Sequence, residues 1–435
     1  MATEDESLSA RDQFRRFLAL EPDVLILSVA MFAFSLGFQM TSRYLPEYMA
    51  VLGATPFIIG LYGTFGNVIS AVYPYPGGAF SDRVGSRYAL TLFGLLSTLG
   101  FLFWLVAPLI GTIELAGPVV EPWIWIFVGL LLAQAWKSFG LGATFAIVKQ
   151  SVSDARLARG FAGTETFRRT AFLLGPLVAS ALLFFGGGEL LPGFYYVLGI
   201  ALAFGAVATV LQHVFYDASE DSFGKEFAGL EQLGRDLRDL PAELRPLLVG
   251  DTLVRFANGM VYTFFVIVIT RFLKVDVSLL GYYLSSEVFF GVLLGLEMLV
   301  ALLVMAPAAK LAERVGLKPV VATGFAVYAV FPVLLIFAPA NAAVVGLLFA
   351  FSGLRFAGLP SHKALIVGPA RRDTGGRVTG AYYLIRNTIV IPSAALGGAL
   401  WDFVSPELAF TLATAIGLAG TGYFLAFGRE FEAYA

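Results

Sequence analysis

The chain has 435 residues, 58% of them hydrophobic and only 14% charged, with a mean hydropathy of +0.80; a domain that folds in water runs nearer about 45–50% apolar and about 25% charged. That excess of apolar side chains cannot be hidden behind an aqueous surface, so lipid is the solvent that fits. The net charge of −2 gives no electrostatic footprint for nucleic acid, and the absence of cysteine together with only two histidines, His213 and His362, excludes disulfides, thiolate chemistry and thiolate or histidine-rich metal centres.

A membrane-crossing helix needs about 20 mostly apolar residues. That window predicts an all-α membrane protein of twelve transmembrane helices, at 24–45, 56–78, 89–110, 122–149, 160–185, 191–215, 247–272, 278–308, 319–338, 341–368, 377–401 and 407–428. Ahead of the first span, Glu4, Asp5, Glu6, Arg11, Arg15 and Arg16 do not form a signal-peptide head, and no short apolar core with a small-residue cleavage site follows, so helix 1 is expected to be retained. The N-terminus, the alternate loops and the C-terminus carry nearly all the Lys and Arg of the connections, whereas the opposite loops hold only Arg271 and Lys274. Positive charge stays inside, so both termini are expected in the cytoplasm of a multi-pass plasma-membrane protein with an even number of spans. The longest connection, 216–246, separates an N-terminal six-helix bundle (1–215) from a C-terminal one (247–435). Within it Phe223, Phe227, Leu230, Leu233, Leu237 and Leu240 recur at helical spacing between charges, which predicts an interfacial amphipathic helix.

The two halves also agree in sequence. Ser81-Asp82-Arg83-Val84-Gly85 faces Ala312-Glu313-Arg314-Val315-Gly316, and Phe139, Gly163 and Arg169 face Phe356, Gly380 and Arg386 at one shared offset. Duplicated bundles with a site between them at mid-membrane are a recurring transporter plan. The run Gly77-Gly78-Ala79-Phe80-Ser81-Asp82-Arg83-Val84-Gly85-Ser86-Arg87 resembles the signature loop between helices 2 and 3 of the major facilitator superfamily, and Arg159-Gly160 resembles that family's Arg-Gly after helix 4. The resemblance implies two pseudo-symmetric six-helix bundles and a cytoplasmic latch built from Gly78, Asp82, Arg83, Gly85 and Arg87 that holds the outward-open state. Gly78 would allow close helix approach, and Asp82 would cap the start of helix 3. Phe80 and Ser86 depart from the usual leucine and basic residue, and Ala309 replaces glycine in the second copy.

An ionised side chain at mid-bilayer costs on the order of 3 kcal/mol, so each must face a partner or a wet cavity. Lys137 falls near the middle of helix 4 and Arg355 near the middle of helix 10, two of the four helices that line the cavity in the family that the chain resembles; together they read as an anion clamp, or as an internal salt bridge. Arg386, with Tyr382, Tyr383 and Asn387 beside it and no acid within a turn, has a better claim to the cavity than Arg168 or Arg169, which follow Glu165. Asp251 and Arg255 are an i,i+4 pair followed on the same face by Asn258 and Tyr262, in a gate or cavity role; Arg255, Asn258, Tyr262 and Tyr382 join Lys137, Arg355 and Arg386 as the seven expected substrate contacts. Arg43 and Glu47 pair similarly at the outer end of helix 1, as an outer gate or as snorkelling side chains. Glu287 and Glu297 read as the acids deep in helix 8, either proton-coupling groups or counter-ions for Arg255, Arg386 or Lys137. Asn67 reads as an interhelical hydrogen bond, and His362 and Lys363 as snorkelling groups.

These residues predict a monomeric secondary transporter that moves a small anionic organic solute through the bilayer by alternating access, with a proton as candidate coupling ion and no cofactor. Gly175-Pro176 resembles the exporter signature of the same superfamily, which keeps a proton-driven multidrug exporter as the alternative; Ala171 and Ala179-Ser180 replace its flanking glycines, and helix 4 holds no acid. A non-transporting receptor or scaffold would carry large loops or added domains. An enzyme is not expected, since no metal motif, nucleophile–base pair or phosphate-binding Gly-x-x-x-x-Gly-Lys loop occurs.

Overall fold

The computed structural model describes residues 22–114, 119–139, 157–216, 240–279, 281–368 and 375–430. The amphipathic helix expected in the linker lies, apart from Leu240, outside these residues. The first span is α1 (Pro22–Thr41) and a short α2 (Leu45–Val51), bent by 43° at the break between them. Pro46 in the first turn of α2 has no N–H for the helical ladder, and its ring excludes the preceding helical turn. Next come α3 (Pro56–Val72), begun by the Thr55 hydroxyl accepting from the Ile58 amide, and α4 (Pro74–Val84), where Pro74 again interrupts the ladder. The chain returns in α5 (Ser86–Ile110), turns through a two-stranded hairpin, Ile113–Glu114 with Val119–Val120, and enters α6 (Ile124–Gln134), which ends in a π turn at Ala135–Phe139. The first half closes with α7 (Leu157–Phe185) and α8 (Leu190–Phe215).

The second half starts with α9 (Arg245–Val261), a 3-10 turn at Tyr262–Phe264, the single turn α10 (Phe265–Ile267) and a π turn at Val268–Leu273. A hairpin of Val277–Leu279 with Tyr282–Leu284 leads to α11 (Ser286–Val315), followed by α12 (Leu317–Ile336) and α13 (Ala342–Gly353), which runs into a 3-10 turn at Leu354–Phe356. Then come α14 (Leu359–Val367), α15 (Gly375–Val390), α16 (Ser393–Phe403) and α17 (Pro406–Phe427). Among the described residues nine helices are long and apolar enough to cross a membrane, ten with the bent first pair, and Pro56–Val72 and Ile124–Ser138 are shorter apolar helices. The fold is thus an all-α, multi-pass membrane fold. Leu92, Leu95, Leu99 and Leu102 form an exposed row at helical spacing on α5, the face that a bilayer would cover.

Within the first half α1 lies against α7 and α8, and α5 against α6 and α8; within the second, α17 lies against α9 and α12, and α11 against α13. The halves meet along α3–α16 and α7–α11. Small residues make both approaches possible: a Cβ at Gly60 would strike Ala394 and Gly398, and one at Gly291 or Gly295 would strike Pro176, Ser180 or Leu177. Polar ties across the halves gather at the end remote from Pro22 and Phe427. Tyr44 donates to the Glu287 carbonyl (3.1 Å), Ser180 to the Val288 carbonyl (2.7 Å) and Ser285 to the Gly188 carbonyl (2.6 Å). The repeat read from sequence has a backbone counterpart. Gly85 (φ 88°, ψ 151°) turns the chain from α4 to α5, and Gly316 (φ 92°, ψ 162°) turns it from α11 to α12, a conformation favouring glycine.

Candidate functional site

Four spans lose regular helix where the candidate polar residues stand. Arg43 lies in the turn that bends the first span, Lys137 in the π turn ending α6, Tyr262 in the 3-10 turn after α9, and Arg355 in the 3-10 turn after α13. Irregular backbone at membrane depth survives only where protein or water meets its freed polar groups. The Tyr262 turn lines a cavity of about 200 Å³, bounded also by Asn67 of α3, Arg255 and Asn258 at the end of α9, and Arg386 and Asn387 of α15. Four of the seven expected substrate contacts, Arg255, Asn258, Tyr262 and Arg386, therefore share one wall. Asn67, expected as a helix–helix bond, faces the same space.

Behind the wall sits Asp251, completely buried, with three donors and one imidazole around its carboxylate. Arg255 Nε lies 3.3 Å from Oδ1; Arg386 Nη1 (3.0 Å), the Tyr382 hydroxyl (3.1 Å) and His362 Nε2 (3.2 Å) converge on Oδ2. The i,i+4 pair seen in sequence is thus one edge of a cluster spanning three separate helices. Arg386 does have an acid partner, across helices instead of along its own, and it also donates to Asn387 Oδ1 (2.9 and 3.1 Å). Tyr382 does not reach the cavity, because its hydroxyl is spent on Asp251 in a fully buried position. His362 is buried too, against the expectation that it would snorkel.

The anion clamp of Lys137 and Arg355 does not form as expected. Arg355 is buried and its Nη2 meets Glu297 Oε1 at 2.8 Å, with Ser352 donating to the same carboxylate at 2.5 Å, while Lys137 is exposed and lies 5.9 Å from the Phe38 ring; neither borders the 200 Å³ cavity. Glu297 is indeed a counter-ion, but for Arg355, a partner that sequence separation hid. Glu287 is not deep in a span. The hairpin at 277–284 delays the helix, so Glu287 stands in the first turn of α11. Arg43 and Glu47 do not pair, because the helix breaks between them: the Arg43 guanidinium lies 3.9 Å over the Tyr262 ring, and Glu47 accepts from Arg271 Nε (2.7 Å) and the Thr270 hydroxyl (2.8 Å).

In the expected latch, Asp82 lies in the last turn of α4, and the residue at the start of α5 is Gly85. Arg83 is exposed, Arg87 Nε donates to the His213 carbonyl at 2.7 Å, and Gly78 lies within α4. Sequence reasoning missed a cap in the second copy: both oxygens of Glu430 accept from the amides of Leu317 (2.8 Å) and Lys318 (2.9 Å), at the start of α12.

The cavity lining is cationic: Arg255 and Arg386 bring two guanidiniums, and the carboxylate that pairs with both, Asp251, lies behind the wall and not in it. Such a wall can hold a negatively charged group, with the amides of Asn67, Asn258 and Asn387 as neutral partners.

Known proteins share this architecture. The sequence pattern of the Major Facilitator Superfamily matches residues 27–272. An uncharacterized MFS-type transporter of Methanocaldococcus jannaschii is 21% identical over 398 residues, 90% of this chain and 91% of that one, and an uncharacterized MFS-type transporter of Mycobacterium tuberculosis is 28% identical over 159 residues, 36% of this chain and 35% of its own. The solved structure of a peptide transporter POT in complex with sulfate superposes with a TM-score of 0.71 at 14% identity, covering 97% of each chain. The nucleoside transporter NupG gives 0.70 at 12% identity over 93% of this chain and 98% of its own. At these identities the structural likeness is one of fold, and the sequence match over more than half the chain carries the family. The chain belongs to the major facilitator superfamily, membrane transport proteins and not enzymes.

Proposed function

We propose that the chain is a secondary active transporter of a small anionic organic solute, working by alternating access as a monomer in the plasma membrane with both termini in the cytoplasm. Nine long helices and the bent pair support ten spans, and taking the two shorter apolar helices as spans too would make twelve. The twelve form two six-helix bundles, 1–215 and 247–435, joined by the surface linker 216–246. The observation that carries the reading is the cavity wall: Arg255 and Arg386 with Asn67, Asn258, Asn387 and Tyr262, and no acid among the lining residues. A guanidinium pair beside amides holds a carboxylate or phosphoryl group through several charge-assisted hydrogen bonds, whereas a cationic drug would meet like charge. Lys137, exposed and without a described acid partner, adds attraction from the first half. The ties of Tyr44, Ser180 and Ser285 close the outer end, with Glu47 held by Arg271 and Thr270 as the outer gate. Gly78, Asp82, Arg83, Gly85 and Arg87 form the cytoplasmic latch, with Arg87 anchored on the His213 carbonyl.

The test is uptake into proteoliposomes of dicarboxylates, sugar acids and organic phosphates against cationic drugs, with and without a pH gradient. Anion uptake is expected, abolished by Arg386→Ala and strongly reduced by Arg255→Ala. Preferred accumulation of cationic drugs, unaffected by either substitution, would overturn it.

A further inference from the structure

Arg255 and Arg386 have two claims on them. Each borders the cavity, and each is bound to Asp251 behind it. An anion entering the cavity therefore competes with the Asp251 carboxylate for the same guanidiniums. Beside that carboxylate is His362, 3% exposed, its Nε2 at 3.2 Å from Oδ2 but off the line of a satisfied hydrogen bond. A carboxylate and an imidazole in contact hold a proton as a unit. Wherever the proton sits in the pair, it cancels one negative charge, weakening the grip of Asp251 on both arginines.

We propose that the Asp251–His362 pair is the proton-binding site of this transporter and that its protonation releases Arg255 and Arg386 to the anion, so that proton and anion bind together and cross together. The inference rests on the anion reading above. Linkage makes it reciprocal: an anion that draws the arginines away from Asp251 raises the pair's affinity for a proton by the same factor.

The surrounding charges permit this. On α12 the Tyr328 hydroxyl accepts from Arg255 Nη1 at 3.1 Å, and on α15 Tyr382 donates to Asp251 while the Tyr383 ring lies 4.6 Å from the Arg386 guanidinium. Arg355, the next cation, is neutralised by Glu297 of α11, and Lys363 beside His362 is exposed. From α17, Gly420 and Phe424 contact α9 at Gly250, and neither side chain titrates. No second carboxylate is described against Asp251 to take over its role.

The experiment measures binding of four named probes, succinate, gluconate, inorganic phosphate and glycerol 3-phosphate, to the full-length protein in nanodiscs by calorimetry across acidic to alkaline pH. Proton uptake is followed in weak buffer with a pH dye. For the wild type, affinity is expected to rise about tenfold per unit fall in pH, with about one proton taken up per anion. Asp251→Asn keeps the low-pH affinity at every pH and takes up no proton, and His362→Gln moves the pH window downward. A flat wild-type profile, or a slope unchanged in Asp251→Asn, overturns the inference and leaves the anion reading intact. Failure of the wild type and Asp251→Asn to bind any of the four probes sinks the anion reading itself. Should Asp251→Asn not fold, the wild-type proton count decides alone, with zero protons per anion the refuting result.

Discussion

Glu297→Gln is the most direct probe of how the interior charges are held. The substitution leaves the Arg355 guanidinium buried with its Nη2 partner at 2.8 Å turned neutral, and with Arg355 Nε already lacking a partner. The rings of Tyr328 at 5.0 Å, Phe356 at 4.9 Å and Tyr262 at 5.8 Å remain, but they face the cation before and after the change and return nothing new. Removing one partner of a buried ion pair costs about 3–5 kcal/mol. The Ser352 hydroxyl still has an amide oxygen to meet, so about 3 kcal/mol, the lower end, is expected. The double variant Glu297→Leu/Arg355→Met removes both charges at similar volume and should return to within about 1 kcal/mol of the wild type. Reversible unfolding in mixed micelles gives both values, and a cycle closed with the single variants Glu297→Leu and Arg355→Met, each expected to cost about 3 kcal/mol, gives a coupling of about 5 kcal/mol. Single variants within about 0.5 kcal/mol of wild type, or a double variant that loses the sum of the two, would refute the reasoning.

Glu430→Ala removes the carboxylate that caps two amides of α12, at a cost of about 1 kcal/mol in the same unfolding measurement; faster hydrogen exchange confined to Leu317 and Lys318 is expected, and unchanged exchange there contradicts the cap. Arg271→Ala strips Glu47 of its partly exposed ion-pair partner, worth about 1 kcal/mol or roughly a fivefold shift toward the state open at that end. The chain has no native cysteine, so one introduced near Ser42 reports the shift as faster thiol labelling; an unchanged rate contradicts a gating role. Gly398→Val drives a side chain into Pro56 and Gly60, lowering stability by about 1–3 kcal/mol and loosening the α3–α16 seam. Unaltered unfolding in that variant would mean the seam is not closely held.

The all-α, multi-pass fold and the paired glycines at 85 and 316 were legible in the sequence, because apolar length and a positive-φ corner are properties of short stretches. Arg255, Asn258, Tyr262 and Arg386 were legible for a related reason: polar side chains in apolar spans have nowhere to go except a shared wet space. Partners were not legible. Asp251 reaches Arg386 and Tyr382 across 135 and 131 residues, and Glu297 meets Ser352 across 55, distances along the chain that no local pattern encodes. Direction was not legible either, and Tyr382 and His362 turn inward to Asp251 instead of toward the cavity or the membrane surface. Two errors had visible signals. Pro46 announces the break that separates Arg43 from Glu47, and Gly281-Tyr282-Tyr283 marks the hairpin turn and second strand ahead of α11, moving Glu287 to the helix start.

The interruptions holding Arg43, Lys137, Tyr262 and Arg355 have a mechanical consequence. A rod that is helical throughout can only swing as a whole, whereas each of these four segments carries a break in its helix beside a charged or phenolic side chain. A few degrees of torsion at one break re-aims a guanidinium, an ammonium or a phenol without moving the segment's ends. On the transport reading proposed above, occlusion of a solute would begin as small local rotations, ahead of the larger tilt that exchanges one side of the membrane for the other.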